Sequence, residues 1–152
     1  MNKKLFVFNL KVFCALALLG GILCAFVFYN SPVVKKVIDG DTIVLRNGRV
    51  VRYIGMDTPE KGECYYEEAK KRNEELVLGK KVELVKDVSD KDKYGRLLRH
   101  VYADGIFVNW ELVREGYAEA FSVEPNISLM ESFWDAERIA IWEKIGIWKE
   151  CI

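Results

Sequence analysis

The chain has 152 residues, of which 51% are hydrophobic, and its 23 basic residues are balanced by 23 acidic ones. This length suits one domain with one core plus an accessory segment, rather than two domains. The balanced charge excludes a broad basic face, so binding of an anionic polymer has to depend on a few local cationic side chains.

An uncharged hydrophobic run extends from Val12 to Tyr29 and follows lysines at positions 3, 4 and 11. Its length is near the minimum for a helix that crosses a bilayer, and the lysines predict that the N-terminal end faces the cytoplasm. Residues 1–30 are therefore predicted to form an N-terminal hydrophobic helix that anchors the chain in the cell membrane. The alternative is a signal segment that is cleaved, giving a secreted protein, but bulky residues occupy the positions where a signal peptidase needs small ones.

Either alternative places the domain, residues 31–152, outside the cytoplasm. Three β-strands are predicted at its start, in the segments 33–38, 42–46 and 50–55, which are rich in β-branched residues. Asn47-Gly48 is a strong signal for a two-residue hairpin between the second and third strands. The three strands should form a meander.

This meander brings acidic side chains and an arginine to one edge of a sheet. Asp41 opens the second strand, and Arg52 lies inside the third. Asp57 follows the third strand in a loop, with Glu60 close behind it. A guanidinium inside a strand needs an anion, and carboxylate oxygens are the ligands that calcium and magnesium prefer. The sequence therefore predicts a metal site with an arginine beside it.

Each of these segments alone also has a purely structural explanation. Asp39-Gly40-Asp41 is a common turn tripeptide, and Thr58-Pro59 suits the N-cap and first position of a helix. Arg52 can pair with Asp57 alone. The combination on one meander favours a functional site.

The rest of the domain is predicted to contain two further strands and three helices. The strands are residues 81–86 and 97–103, with a short strand or bridge at 107–108, and the helices are residues 67–78, 110–115 and 128–144. Asn109 is the expected N-cap of the second helix.

Aromatic residues of the last helix are predicted to pack in the core. Phe133, Trp134, Ile141 and Ile145 recur at helical spacing, and Trp148 follows them. The tryptophans are therefore interpreted as packing residues and not as a platform for bases. His100, the only histidine, is expected to have a packing or surface position and no chemical role.

Three segments resemble the signatures of the staphylococcal nuclease (thermonuclease) family in order and spacing: IDGDT at 38–42, RYIGMDTPE at 52–60 and DKYGR at 92–96. The resemblance covers Val33 to Trp148. It implies an α+β, mainly β fold, namely an OB-fold five-stranded barrel with three helices. It also implies hydrolysis of DNA and/or RNA with one calcium ion, leaving 3′-phosphate ends. We expect the protein to be a monomer.

The resemblance also assigns roles by position. It implies that calcium is held by Asp41, Asp57 and the Thr58 carbonyl, that Glu60 is the general base, and that Arg52 and Arg96 bind phosphate. Lys93, Tyr94 and Phe121 are further candidates for substrate binding, because Phe121 can stack on a base. Val123 cannot, although the family often has tyrosine there.

The rival interpretation is a catalytically inactive OB-type module that binds nucleic acid or protein. Retention of every chemical position in this sequence favours the enzyme. Arg96 alone would be read as an exposed loop arginine, but beside Arg52 it offers a second planar donor to phosphate.

Two cysteines belong to the domain, Cys64 and Cys151, whereas Cys14 and Cys24 lie in the hydrophobic run and should stay unpaired. Outside the cytoplasm Cys64 and Cys151 can form a disulfide. Two free thiols are the alternative if the domain faces the cytoplasm.

Overall fold

The computed structural model describes residues 32–151. The predicted membrane segment, with Cys14 and Cys24, lies outside these residues. None of the helices within residues 32–151 is both long and apolar enough to cross a membrane.

The main sheet has six strands, and five of them lie side by side in the order β1–β2–β3–β6–β5, with β7 paired to β6. These strands are β1 (Val34–Val37), β2 (Thr42–Leu45), β3 (Val50–Tyr53), β5 (Val82–Val85), β6 (Leu97–Ala103) and β7 (Ile106–Phe107). All neighbours are antiparallel except β3 and β6. The predicted meander and its hairpin at Asn47-Gly48 are confirmed.

The predicted closed five-stranded barrel is not found among the described residues. The two edge strands, β1 and β5, meet only at the single bridge between Val33 and Lys81 and at hydrogen bonds beside it, such as Val34 N–H to the Lys80 carbonyl at 2.9 Å. A register shift between Val34 and Lys36 bends β1 away from a continuous ladder. The sheet is therefore curved enough for its edges to touch at one end but remains open.

The third predicted strand was too long, because the chain leaves the main sheet at Ile54. Gly55 has a φ of +85°, and a Cβ there would lie 2.1 Å from the ring of Phe133. Only glycine can make this turn against the ring. The chain then forms β4 (Gly55–Asp57), which pairs with β8 (Glu119–Phe121) in a second sheet. Asp57 was predicted in a loop but is the last residue of β4.

The described residues contain four helices where three were predicted. They are α1 (Tyr66–Val77), α2 (Val108–Arg114), α3 (Met130–Glu143) and α4 (Ile147–Glu150). The additional helix, α4, is anchored where Gly116 and Gly146 touch, since a Cβ on Gly146 would lie 2.0 Å from the Gly116 carbonyl oxygen. The Ile147 N–H donates to that carbonyl at 2.8 Å.

Asn109 does not cap α2, as was predicted, but lies inside it and is fully buried. Its amide nitrogen donates to the carbonyls of Ile54 and Arg99 at 2.9 and 3.1 Å, and its oxygen accepts from the Val101 N–H at 2.9 Å. These bonds satisfy backbone groups at the end of β3 and on the edge of β6 between its pairings with β3 and with β7. Asn109 therefore holds the junction between the two sheets.

The core prediction for α3 is only partly correct. Phe133, Ala136 and Ala140 form the buried face, and the small alanines allow close packing. Trp134 and Ile141 lie outside this narrow face and are exposed, and Trp142 is 83% exposed. The tryptophans of α3 are therefore surface residues.

Candidate active site

The turn between β1 and β2 places Asp41 at the centre of the site. The Asp41 N–H donates to the Asp39 side chain at 3.2 Å, which closes the turn. A Cβ on Gly40 would lie 2.6 Å from Thr58 Cγ2, so glycine is what lets the end of β4 approach this turn. Two segments that are far apart in sequence thereby meet side by side.

The Asp41 carboxylate is only 4% exposed, and hydrogen-bond donors surround it. It accepts from Thr42 Oγ1 at 3.0 Å, Thr58 Oγ1 at 2.8 Å and the Thr58 N–H at 3.2 Å. It also forms an ion pair with Arg52. Thr58 is thus bound to the turn through Asp41 and does not begin a helix, because α1 begins only at Tyr66.

Arg52 links the two aspartates. It lies on β3 opposite Thr42, and its guanidinium pairs with Asp41 through one terminal nitrogen and with Asp57 through the other. The sequence predicted that Arg52 needs an anionic partner. This prediction is confirmed, and the arginine has two such partners, Asp41 and Asp57. The Asp57 side chain is 47% exposed, so the pair has one buried and one accessible carboxylate.

The carboxylates of Asp41 and Asp57 and the carbonyl of Thr58 are oxygen ligands of the kind that calcium binds. Among residues 32–151, no group of three or more His, Cys, Asp or Glu side chains is arranged to hold a metal ion. Two carboxylates nevertheless converge on one positive group, Arg52, and Thr58, whose carbonyl is the third predicted ligand, directly follows Asp57 in sequence. Hard oxygens of this kind fit calcium, which takes 6–8 of them, so these protein groups supply only part of a coordination shell.

Glu60 lies in an exposed turn after β4. Its N–H donates to Glu63 Oε2 at 2.6 Å, and its carbonyl accepts from the Glu63 N–H at 2.9 Å. Cys64, the next residue, forms a disulfide with Cys151, and their Cα atoms are 5.7 Å apart. The disulfide predicted from the two domain cysteines is therefore present in the structure.

A cleft of about 510 Å³ lies between this turn and the end of β4, and its walls include Asp57, Thr58, Glu63, Cys64 and Cys151 but not Glu60 itself. The structure thus brings the segment that carries Glu60 beside two of the predicted metal ligands.

Arg96 belongs to a separate local structure in the loop before β6. Its Nε donates to Asp92 Oδ2 at 2.6 Å, and its N–H donates to Asp92 Oδ1 at 2.9 Å. Burial alone would raise the pKa of Asp92, but these bonds and one from the Tyr94 N–H outweigh burial and lower that pKa. An ionised Asp92 therefore holds Arg96 at ordinary pH.

A second cleft, of about 590 Å³, collects the predicted substrate-binding residues. Its walls include Arg52, Lys93, Tyr94, Arg96 and Phe121. The Tyr94 and Phe121 rings are exposed, and Lys93 Nζ lies 5.0 Å from the centre of the Tyr94 ring. Arg52 is the residue that this cleft shares with the acidic pair.

Sequence reasoning missed Asn73, which supports the Asp39–Asp41 turn from α1. Its amide donates to the Asp39 carbonyl at 3.1 Å, and its oxygen accepts from the Tyr53 hydroxyl at 2.9 Å. Burial raises the pKa of Tyr53, so this hydroxyl keeps its proton. The sequence does contain a pattern that indicates this role: Asn73 is a polar residue at helical spacing from Ala69, Leu76 and Val77, and it therefore lies on the buried face of α1.

An acidic pair joined by an arginine to a cleft with exposed aromatic rings is the arrangement expected of a protein that acts on phosphodiesters. Residues 50–150 match the family described as Staphylococcal nuclease homologue. The chain belongs to that family.

Three relatives illustrate the similarity. The chain is 45% identical over 126 residues to the SPbeta prophage-derived endonuclease YokF of Bacillus subtilis (strain 168), a match that covers 76% of this chain and 43% of that protein. It is 44% identical over 126 residues to Endonuclease YncB of the same organism, covering 76% of this chain and 60% of that protein. It is 34% identical over 129 residues to the Thermonuclease of Staphylococcus intermedius, covering 79% of this chain and 77% of that protein. The chain therefore spans about half the length of the two Bacillus relatives.

Proposed function

We propose that this protein is a calcium-dependent endonuclease that hydrolyses phosphodiester bonds of DNA and/or RNA and leaves 3′-phosphate ends. The observation that carries the proposal is the position of Arg52, which pairs with both aspartates and also lines the cleft of Arg96, Tyr94 and Phe121. One guanidinium thereby connects a cation site to a groove suited to a nucleotide. The names of the relatives support the same class of activity.

The residues that would hold calcium are Asp41, Asp57 and the carbonyl of Thr58. When bound, the ion would supply Lewis acidity and neutralise charge on a phosphoryl oxygen. The buried Asp41 fixes the geometry of the site, whereas the half-exposed Asp57 can adjust to the ion.

The two arginines would stabilise the phosphate as its charge increases. Arg52 and Arg96 each pair with carboxylates in this structure, and each has guanidinium N–H groups that a phosphodiester can use instead. A phosphodiester gains negative charge in its five-coordinate transition state, so planar, multidentate donors bind that state better than the substrate.

Glu60 would act as the general base. It would take a proton from a water whose oxygen attacks phosphorus; the bond to the 5′ oxygen breaks, that oxygen takes up a proton from solvent to become a hydroxyl, and the phosphate remains on the 3′ side. The exposed position of its turn beside the first cleft supports access to water.

The test is a nuclease assay on the full chain with calcium, with magnesium and with a chelator. Closed circular DNA is the substrate, because it has no ends and only an endonuclease can cut it. Glu60→Gln should lower turnover by roughly 10²- to 10⁴-fold while calcium binding persists. Glu143→Gln, an exposed glutamate at the end of α3, is the matched control.

Wild-type turnover in Glu60→Gln would remove Glu60 from the mechanism. A full chain that binds nucleic acid but cuts none with calcium would instead favour the inactive module.

We also propose that the domain works outside the cytoplasm as a monomer, held by residues 1–30 as a membrane anchor. The Cys64–Cys151 disulfide supports this location, because such bonds persist in oxidising compartments. Protease added to spheroplasts should digest the domain, and the intact mass of the membrane-extracted protein should include residues 1–30. A shortened mass in the soluble fraction would show that the segment is cleaved.

A further inference from the structure

The turn that carries Glu60 is closed by a second glutamate. Glu63 accepts the Glu60 N–H on its carboxylate at 2.6 Å and donates its own N–H to the Glu60 carbonyl at 2.9 Å. Both backbone groups of Glu60 are therefore bonded to the same residue. Gly62 between them has a φ of +96°, which glycine adopts without strain.

The residues of this turn are exposed, so side-chain packing contributes little to holding it. Fixing the backbone of a residue on an exposed turn limits the positions that its side chain can reach. A hydrogen bond to an ionised carboxylate is about twice as strong as a neutral one, so the Glu63 side chain is suited to fix the Glu60 backbone.

Glu63 is itself attached to the folded domain. Its neighbour Cys64 is bonded to Cys151, which directly follows α4. The first helical residue, Ile147, is buried and its N–H donates to the Gly116 carbonyl at 2.8 Å. A continuous series of bonds therefore runs from the core through the disulfide and Glu63 to Glu60.

We infer that Glu63 is a positioning residue for the general base: its carboxylate holds the Glu60 backbone in place beside the cleft of Asp57 and Thr58. The inference rests on the proposed function of Glu60. Glu63 touches neither water nor phosphate in this scheme, so its effect is expected in turnover and not in substrate binding.

Variants that change the length or the charge of the Glu63 side chain test this inference. Glu63→Gln keeps both the length and an oxygen acceptor, whereas Glu63→Asp keeps the charge but is one methylene shorter. We expect Glu63→Ala and Glu63→Asp to lower kcat by about 10-fold, as misplacement of a reacting group does, with KM and the unfolding temperature unchanged. Glu63→Gln should retain kcat to within about threefold, since the hydrogen bond is kept in weaker form. Lys61→Ala, in the same turn, is the control and should match the wild type.

A double variant separates positioning from a general structural role. Because Glu63 acts through Glu60, adding Glu63→Ala to Glu60→Gln should lower kcat no further than Glu60→Gln alone. The inference is overturned if Glu63→Asp has wild-type kcat, or if Glu63→Ala causes the same loss with and without Glu60. An unfolding temperature that falls in parallel with kcat would also overturn it. If Glu60→Gln alone is fully active, the proposed role of Glu60 fails instead, and the two failures are thereby distinguished.

Discussion

The two sides of the candidate site are built differently. The buried side comprises Asp41 in the turn before β2, Thr58 directly after β4 and the half-buried Arg52 on β3, and its side chains bond to one another. The exposed side, which comprises Glu60, Tyr94 and Phe121, lies on a turn, a loop and the end of a short strand. The buried side therefore stabilises the fold in addition to its proposed chemical role, whereas the exposed side can be changed at little cost to the fold.

The largest expected difference between the two sides is in the free energy of unfolding of the variants Asp41→Ala and Asp57→Ala. Removing Asp41 leaves Arg52 and Thr58 without a buried acceptor, so we expect the free energy of unfolding to fall by about 3–5 kcal/mol. Asp57 is half exposed, and its removal should cost under about 1 kcal/mol. Urea unfolding measures both, and titration calorimetry should show weaker calcium binding in each.

Equal destabilisation by the two variants would contradict the division into a buried and an exposed side. Asn in place of each aspartate is the control for volume, because it keeps the shape and removes the charge.

The disulfide links the turn of Glu60 covalently to the C-terminal end of the domain. Cys151→Ser should lower the free energy of unfolding by about 2–4 kcal/mol and the unfolding temperature by roughly 10 °C. The reason is that the disulfide joins two cysteines 87 residues apart and thereby restricts the conformations of the unfolded chain. Activity at low temperature should fall less, since Asp41 and Arg52 are held by the sheet. Thermal unfolding with and without reductant measures the effect, and the variant itself should not respond to reductant.

Phe121 tests the exposed side alone. Loss of a stacked base costs about 1–3 kcal/mol of binding, so Phe121→Ala should weaken binding of a short single-stranded oligonucleotide by that amount without changing the unfolding temperature. Val123→Ala, in the same cleft, should have no comparable effect. Fluorescence anisotropy in a Glu60→Gln background avoids cleavage during the measurement. Equal losses in both variants would contradict stacking by Phe121.

His100 gives the smallest expected effect and belongs to the core. It is 4% exposed between Phe107 and Phe133, and within residues 32–151 neither ring nitrogen has a hydrogen-bond partner. Burial disfavours the charged imidazole and lowers the pKa of His100. The negative charge of Asp87 acts in the opposite direction but has the smaller effect. The unfolded chain therefore takes up a proton as pH falls below about 6.5 while the folded chain does not, so stability falls with pH.

In His100→Phe this contribution is absent, and the loss of stability between pH 7 and pH 5 should be smaller than in the wild type. Urea midpoints at the two pH values measure it. An unchanged pH dependence would show that His100 is protonated in the folded protein as well.

Much of the site could be predicted from sequence because its residues lie on local structure. Alternating β-branched residues and Asn47-Gly48 fix the meander, and the meander brings Asp41 and Arg52 together. The two domain cysteines similarly suggested the bond that the structure contains.

The errors arose where a neighbour distant in sequence decides the conformation. The chain leaves the sheet at Gly55 because the Phe133 ring lies there, and Asn109 is buried because distant backbone groups need partners. Helical periodicity showed that α3 has apolar residues but not which face is covered, so Trp134 and Ile141 were wrongly predicted to be in the core.

The parallel pairing of β3 with β6 has a consequence for how the protein folds. The connection between these strands includes α1 and β5, and Arg96 directly precedes β6. Hairpins and helices form from local contacts in microseconds, whereas a parallel pair must first close a long loop. We therefore expect Arg52 and Arg96 to enter one cleft only after that slow step, so that a refolding chain regains its β1–β2–β3 hairpins before it gains a complete groove for substrate.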